Sequence, residues 1–527
     1  MVRRRNRQQT EEYDAVIIGA GAAGALYARH LAEAGKSVTV LDAGPGWALE
    51  DLTSSQIWSR RLRWAGPGVL PGGDHPYPFA FNSGWGLGGA ALHHYGTWPR
   101  MHEEDFDMAR RHGRGRDWPI AYDNLRPFYD RMQREAGVSG DAEAEIWRPP
   151  GDPYPLPPLA TLAQAQVLKR GFDALGVAAA PAPMAILSRG YDGRPPCIYD
   201  GWCDAGCPIG ALYNPLVKDI PRARAAGAEF RIRATALRIL MESGRARGVE
   251  YLDGEGEIRE ARGRVVILAA SVVHNPALLL NSASDAHPDG LANSSRQLGR
   301  NFMCHILAPV YGIFDEETQP YLGVSGAQLI SHADYGKSRE GGPFGSWQWL
   351  VAPAMKPNDL LGVAISRADL FGQDLHDFMA RASHHIASMI AFAEELPRSD
   401  NRIELSDAPG PGGTRLPRLV HGFDAETLAL REAAKDQGLA ILEAAGAREI
   451  WQGPVAQAHM MGGAIMGDDP AASVADSFGR AHDVANLVIA GASLFPTGGA
   501  VNPTFTLYAL SLRNVEHLIA HWTDYAA

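Results

Sequence analysis

Short unbroken apolar runs and longer amphipathic stretches alternate along this chain, and its first forty residues show both. Ala15–Ile18 is a continuous apolar run, as in a strand buried on both faces of a parallel sheet. It leads straight into Gly19-x-Gly21-x-x-Gly24, after which an amphipathic helix is predicted to continue through Ala34. Lys36–Leu41 is the next predicted strand and ends at Asp42, 18 residues past the third glycine. Further along, residues 117–137 (DWPIAYDNLRPFYDRMQREAG) predict a helix opened by Pro119 and the Asp123 region. A second helix is predicted over Leu162–Leu175 with Thr161 as its cap, and a short third has Pro221 in its first turn and ends near Ala226. FRIRATALRILMES (230–243), ARGVEYLD (246–253) and ARGRVVILAA (261–270) read as strands. A helix around 425–445, a buried strand at 486–490 and a C-terminal helix from Pro503 complete the pattern.

Between these elements the chain is irregular. Residues 47–115 are turn-rich and hold the glycine cluster SGWGLGGAALHH (83–94), and a proline-rich surface segment follows residue 140. From about Phe302 to Trp451 strand-like segments recur without a nucleotide motif, and the glycine-rich turns return at 452. No internal repeat is present. The expected architecture is α/β (α+β overall). A nucleotide-binding domain is assembled from residues 1–304 and 452–527, with irregular substrate-side segments near 47–190, and a second domain is inserted at 305–451.

Composition narrows the class. The 527 residues are 46% hydrophobic and 21% charged, enough apolar surface to build cores. Lys+Arg of 49 against Asp+Glu of 60 leaves −11, and no Lys/Arg-rich run lies beyond the first few residues, so nucleic acid is not expected as a partner. The longest apolar runs, at 265–273 and 486–495, fall far short of the ~18 residues that cross a bilayer. The basic start MVRRRNRQQTEEYDAV has no apolar core before the first strand, so no signal peptide is expected. Glycine is abundant, 58 residues without a period, which points to many tight turns. Cysteine is scarce and clustered: of four, Cys197, Cys203 and Cys207 share one loop at 187–214, an arrangement unsuited to a disulfide framework.

The N-terminal unit carries a dinucleotide-binding signature in full context. Gly19 makes the tight turn, Gly21 admits a pyrophosphate to the backbone, Gly24 lets helix and strand pack, and Asp42 accepts from the ribose. Glycine-rich turns recur at 84–89, 462–467 and 491–499, as though several backbone segments approach one large cofactor. A second helix N-terminus near Asn502 suits the electron-rich edge of a reduced flavin, which favours FAD over NAD.

Beyond these local patterns, the chain resembles the glucose–methanol–choline (GMC) family of FAD oxidoreductases along essentially its whole length. More narrowly it is similar to the catalytic large subunits of bacterial gluconate, fructose and FAD-dependent glucose dehydrogenases. The resemblance is carried by LDAGP, GRDWPIAYDNLRPFYD, SRGYDGRPPC, CPIGALYN, HPDGLANSSRQLGRNFM, HMMGGAIMGDDPAASVAD and VNPTFTLYALSLR, in that order. It implies a Rossmann-like FAD-binding domain with an inserted antiparallel-sheet substrate domain. It also implies oxidation of a hydroxyl of a sugar, sugar acid or glycoside, with hydride passing to flavin N5. An oxygen-using pyranose or glycoside oxidase and a non-catalytic electron-transfer flavoprotein are the alternatives.

Removing a hydroxyl proton calls for a base that titrates near neutrality, and histidine supplies it. The resemblance assigns that role to His459 and makes Asn502 its hydrogen-bonding partner, although Asn502 also stands where a helix cap would. Gly88, Gly89 and His93 fall where the family brings a loop against the flavin ring, and Gly491, Asn502 and Pro503 complete the expected cofactor contacts. In some members a histidine of this loop is bonded to the flavin; the sugar-dehydrogenase relatives hold FAD without a bond, so contact alone is expected of His93. Gln348, Trp349, His384 and His385 are candidates for the substrate wall.

Thiolates are soft ligands for zinc and iron–sulfur centres, and the two short CxxC hairpins of a structural zinc site are missing. Cys197, Cys203 and Cys207, with the Cys-Pro ending of their loop, resemble the cysteines that hold a 3Fe-4S cluster in those large subunits. Cys304 is read as an ordinary buried thiol. The same relatives associate with a small subunit and a cytochrome c electron acceptor. Their likeness places this protein in the periplasm or at a membrane through co-export with a partner, and a cytoplasmic enzyme would be equally signal-less.

Overall fold

The computed structural model describes residues 12–527, so the reading of the basic N-terminal stretch falls largely outside the described residues. Strand Glu12–Ile18 and strand Val38–Leu41 run parallel around helix Ala22–Glu33. The apolar runs dictate this placement: Ala15, Val16 and Ile17 are fully buried, as expected of strands covered on both faces. The seven-stranded sheet runs in the order Glu229–Arg231, Val38–Leu41, Glu12–Ile18, Ile258–Leu268, Arg245–Leu252, Thr235–Glu242. Strand Ile258–Leu268 serves two neighbours on one edge. Its first residues pair antiparallel with Arg245–Leu252, and its last three pair parallel with Leu487–Ile489, 221 residues later in the chain. That pairing sews the C-terminal segment back into the nucleotide-binding sheet.

The stretch 230–243 is two strands, not one. Arg233 takes a left-handed φ of 51°, which breaks the run, while the amides of Arg233 and Ala234 donate to the carbonyls of Gly44 and Asp42. The helix expected over 117–137 is Tyr122–Ala136, because the Asn124 side chain caps the Ala121 amide, downstream of Pro119. Helix Ala163–Ala174 starts without help from Thr161, whose carbonyl instead accepts from Gln166. Helix Ala425–Ala444 is capped by Asp424, which accepts from the Thr427 amide at 2.8 Å, and helix Thr504–Ala520 follows Pro503.

A second seven-stranded sheet is antiparallel throughout, in the order Glu449–Gln452, Met303–Ile313, Ile386–Ala393, Trp347–Val351, Leu329–Ser331, Ala180–Pro181, with Ala456–Met461 added on Met303–Ile313. It therefore draws strands from both sides of the 305–451 range. Helices Ala163–Ala174 and Ala425–Ala444 cover one face. A three-stranded sheet, Arg402–Pro409, Arg415–Val420 and Leu70–Gly72, returns from the inserted range to pack on helix His274–Asn281 of the nucleotide side. No helix among the described residues is long and apolar enough to cross a membrane.

Candidate active site

A cavity of about 840 Å³ lies between the two large sheets. The glycine turn forms one end. A Cβ on Gly24 would stand 1.9 Å from the Gly19 carbonyl oxygen and one on Gly19 2.4 Å from that of Ala269, so both must be glycine for helix and strand to meet. Gly21 and Gly89 face each other, and a Cβ on Gly89 would come within 3.0 Å of the Gly21 Cα. Gly88 stays off the cavity wall; its φ of 94° turns the loop and its amide donates to the Ala20 carbonyl. Asp42 is oriented by the amides of Ala20 and Gly44, at 3.0 and 2.9 Å, and burial pushes its carboxyl above the usual range. His93 accepts from Arg63 at Nδ1, which leaves Nε2 buried without a partner on the cavity wall. Ser83 Oγ and His94 Nε2 are orphaned likewise. Backbone-to-backbone approach, an oriented acid and unsatisfied polar atoms along one wall are what a bound dinucleotide requires, and FAD fits this set.

His459 and Asn502, 43 positions apart, meet at the other end, with Asn502 Nδ2 3.3 Å from His459 Nε2. The histidine sits in a β-bulge where Ala456–Met461 slips by one residue against Met303–Ile313, and its φ is 64°. Such a conformation in a residue other than glycine costs about 1–3 kcal/mol, and here it re-aims the ring.

Hydrogen bonds from both sides determine which nitrogen carries the proton. His305 Nε2 lies 2.8 Å from the Gly499 carbonyl, which can only accept, so Nε2 donates and His305 Nδ1 is an acceptor. His459 Nδ1 is 2.8 Å from that atom and must donate, leaving a lone pair on His459 Nε2. The opposite end agrees. His332 Nε2 donates to Gln348 Oε1 at 3.1 Å, Gln348 Nε2 donates to Asn502 Oδ1 at 2.8 Å, and Asn502 Nδ2 is thereby turned toward His459 Nε2. Burial lowers the His305 pKa to about 4, and burial with the adjacent His305 holds His459 well below its ordinary value. Both rings are neutral at pH 7.

The loop that carries Asn502 is pinned by a buried charge cluster. Lys337 bonds Asp105 (2.6 Å), Ser346 (2.9 Å) and Glu394, and Tyr335 donates to Asp105 while accepting from the Ala500 amide.

Family models for GMC oxidoreductase match residues 13–307 with the N-terminal part and 397–511 with the C-terminal part. The chain belongs to the GMC oxidoreductase family. This GMC oxidoreductase is 31% identical to 2-methyl-1,2-propanediol dehydrogenase of Mycolicibacterium austroafricanum over 98% of its own length and 96% of that protein. It is 30% identical to the fructose dehydrogenase large subunit of Gluconobacter japonicus, covering 97% and 98%. A formate oxidase of Aspergillus oryzae shares the fold, with a TM-score of 0.68 at 17% identity over 98% of this chain and 100% of that one. The GMC oxidoreductase is thus an FAD-dependent enzyme acting on CH–OH donors.

Of the four candidates for the substrate wall, only Gln348 reaches the site. Side chains alternate along Trp347–Val351, so Trp347 and Trp349 point the other way and both donate to Gln437 of the covering helix. His384 and His385 end helix Gln373–His385, where His385 bonds the Glu316 carbonyl, far from the cavity lining. For His305 the available sequence signal is a lone histidine in the apolar strand NFMCHI, and His332 stands in no motif. Cys304, on the opposite side of that strand, is buried with Sγ 3.6 Å from His421 Nε2.

The three loop cysteines of this GMC oxidoreductase each receive a backbone amide: Tyr199 to Cys197 (3.3 Å), Ser325 to Cys203 and Leu212 to Cys207 (3.4 Å each). Left-handed φ at Tyr199, Gly201, Gly206, Cys207 and Gly210 curls the loop around them. Burial raises all three thiols, Cys197 to about 11, so a positive centre would be needed to hold them as thiolates. Among the described residues, only the ligand atoms of Cys304, Glu395 and His421 lie within 4.8 Å of one another, so the loop thiols do not converge on one ion. Three thiols are also one short of the four N/S ligands of a structural zinc site. One apolar cluster contains Cys203 together with Leu350 and Phe392 of the cavity wall, and Gly326, also on that wall, follows the Ser325 that bonds Cys203.

Proposed function

We propose that this protein is a dehydrogenase that oxidises a hydroxyl to a carbonyl and passes the electrons to a protein acceptor. The observation that carries the reading is the hydrogen-bond chain His305–His459–Asn502–Gln348, which presents a lone pair and an N–H side by side. His459 Nε2 takes the hydroxyl proton. Asn502 Nδ2 donates to the same oxygen and steadies the charge that develops on it. As the C–H bond leaves with its electron pair, the C–O bond becomes a carbonyl. FAD, when bound in the cavity, supplies the hydride acceptor.

Cys197, Cys203 and Cys207 would hold a 3Fe-4S cluster, which supplies one-electron transfer between flavin and an outside acceptor. The thiol loop beside the cavity wall supports this role over direct oxygen use, because an oxidase needs no relay. The relative named fructose dehydrogenase large subunit supports a partner subunit. A cytochrome as electron acceptor, and a place in the periplasm or at a membrane, belong to the same proposal. The relatives' names range from a branched diol to fructose and gluconate.

Anaerobic mixing with donor tests the reading. The wild type should bleach its flavin and His459→Ala should not, with FAD content equal in both. Bleaching by the variant at the wild-type rate would refute the assignment of the base.

A further inference from the structure

The wall that faces His459 carries almost no hydrogen-bonding groups. Four strands of the second sheet present Leu307, Leu350, Ile390, Phe392 and Ala458 to the cavity, and the Phe392 ring stacks on His459 with centroids 5.1 Å apart. The amide N–H groups of the polar side chains beside this wall are already engaged. Gln457 Nε2 bonds the His75 carbonyl, Asn82 Nδ2 bonds the carbonyls of Pro78 and Gln457, and Gln348 holds Asn502 and His332. The buried cavity-lining side-chain atoms that lack a partner, on Ser83, His93, His94 and Thr97, all belong to residues 83–97, the glycine loop and its continuation on the cofactor side.

Charge is absent from this wall as well. The carboxylate and guanidinium groups lining the cavity are those of Asp42, Arg63 and Arg415. Asp42 takes the amides of the glycine turn, Arg63 bonds His93, and Arg415 pairs with Asp407. The nearby Lys337, Asp105 and Glu394 are fully committed to one another.

We propose, resting on the reaction assigned above, that the donor is an uncharged alcohol whose carbinol carries hydrocarbon substituents, alkyl or aryl, and not a polyhydroxylated or anionic sugar. Each sugar hydroxyl pressed against Leu350, Ile390 or Phe392 would lose its water without gaining a partner, a loss of roughly tenfold or more in binding. Each methylene buried there gains roughly fourfold. A carboxylate would meet no counter-charge on the sheet. His459 and Asn502, the pair that acts on the reacting oxygen, match the single hydroxyl that reacts.

Cyclohexanol and glucose present a reacting hydroxyl on rings of equal size and differ in the others, and gluconate adds the charge. Anaerobic flavin reduction by each gives the second-order rate constant without any electron acceptor. Cyclohexanol is expected to exceed glucose and gluconate by at least a hundredfold, and Ile390→Asn to narrow the gap about tenfold by slowing cyclohexanol. Cyclohexanone, which cannot reduce the flavin, should perturb the flavin spectrum at concentrations where gluconate does not. Equal or faster reduction by glucose or gluconate would overturn the proposal while leaving the reaction intact. Failure of every alcohol to reduce the flavin would overturn the reaction reading itself.

Discussion

Replacing His305 by leucine tests whether the proton on His459 is placed by its neighbour. The substitution removes the acceptor of the His459 Nδ1–H bond, now 2.8 Å, and the donor to the Gly499 carbonyl. His305 is fully buried, so water does not replace either group without rearrangement. An unpaired buried donor costs about 1–3 kcal/mol, and that amount is lost by the tautomer with its lone pair at Nε2. At about 1.4 kcal/mol per factor of ten, the competent population and the rate of flavin reduction fall by roughly 5–150-fold. Binding of donor and FAD should change little, because His305 does not line the cavity. Stopped-flow reduction at saturating donor, with FAD content checked by absorbance, measures the effect. His305→Gln is the control: its amide oxygen can accept from His459 while its NH₂ donates to Gly499, so most of the rate should return. A leucine variant that keeps full FAD and reduces within twofold of wild type would refute the tautomer argument, as would a glutamine variant no better than leucine.

Acid should destabilise the fold before it touches most carboxylates. His94, His274 and His305 are each lowered by burial to about 4, so between that pH and about 6.5 the unfolded chain binds protons that the folded one excludes. Stability therefore rises with pH across this window, by up to about 3 kcal/mol per group, and a Tm independent of pH from 4 to 6.5 would contradict it. Cys203→Ser should lose cluster iron and turnover with a protein acceptor while donor-driven flavin reduction persists; iron and acid-labile sulfide unchanged from wild type would remove Cys203 from the ligand set. Lys337→Met leaves Asp105 and Glu394 buried without their cation and should cost about 3–5 kcal/mol by denaturant unfolding, against near-neutrality if the cluster contributes nothing.

Much of the architecture is legible in the sequence, for a local reason. The spacing of Gly19, Gly21 and Gly24 between an apolar strand and a helix announces the unit, and the Gly24–Gly19 contact lies within it, although Gly19 and Gly21 are also pressed by Ala269 and Gly89 from distant segments. Helix Ala425–Ala444 begins at Asp424 because one side chain and one amide three residues away suffice to start it. The thiol loop was equally visible, since three cysteines and its turn glycines lie close together in the chain.

What stayed hidden depends on pairing between distant segments. Nothing local says that Arg233 breaks a strand, because the break is held by carbonyls of Gly44 and Asp42. Gln348 and Trp349 are neighbours in sequence with opposite fates, which the strand's alternation and the position of helix Ala425–Ala444 decided together. His459 and Asn502 were nameable from their motifs, yet the proton's place on His459 was settled only when the sheet set His305 beside it and Gln348 beside Asn502. The apolar wall came from one face of four strands, and only the closed sheet shows which face that is. Sequence by itself therefore determined the glycine turn, the helix around 425–445 and the spacing of the cysteines, where the signal lies within a few positions. Tertiary structure decided the tautomer and the character of the pocket, because those follow from contacts between segments as much as 194 residues apart.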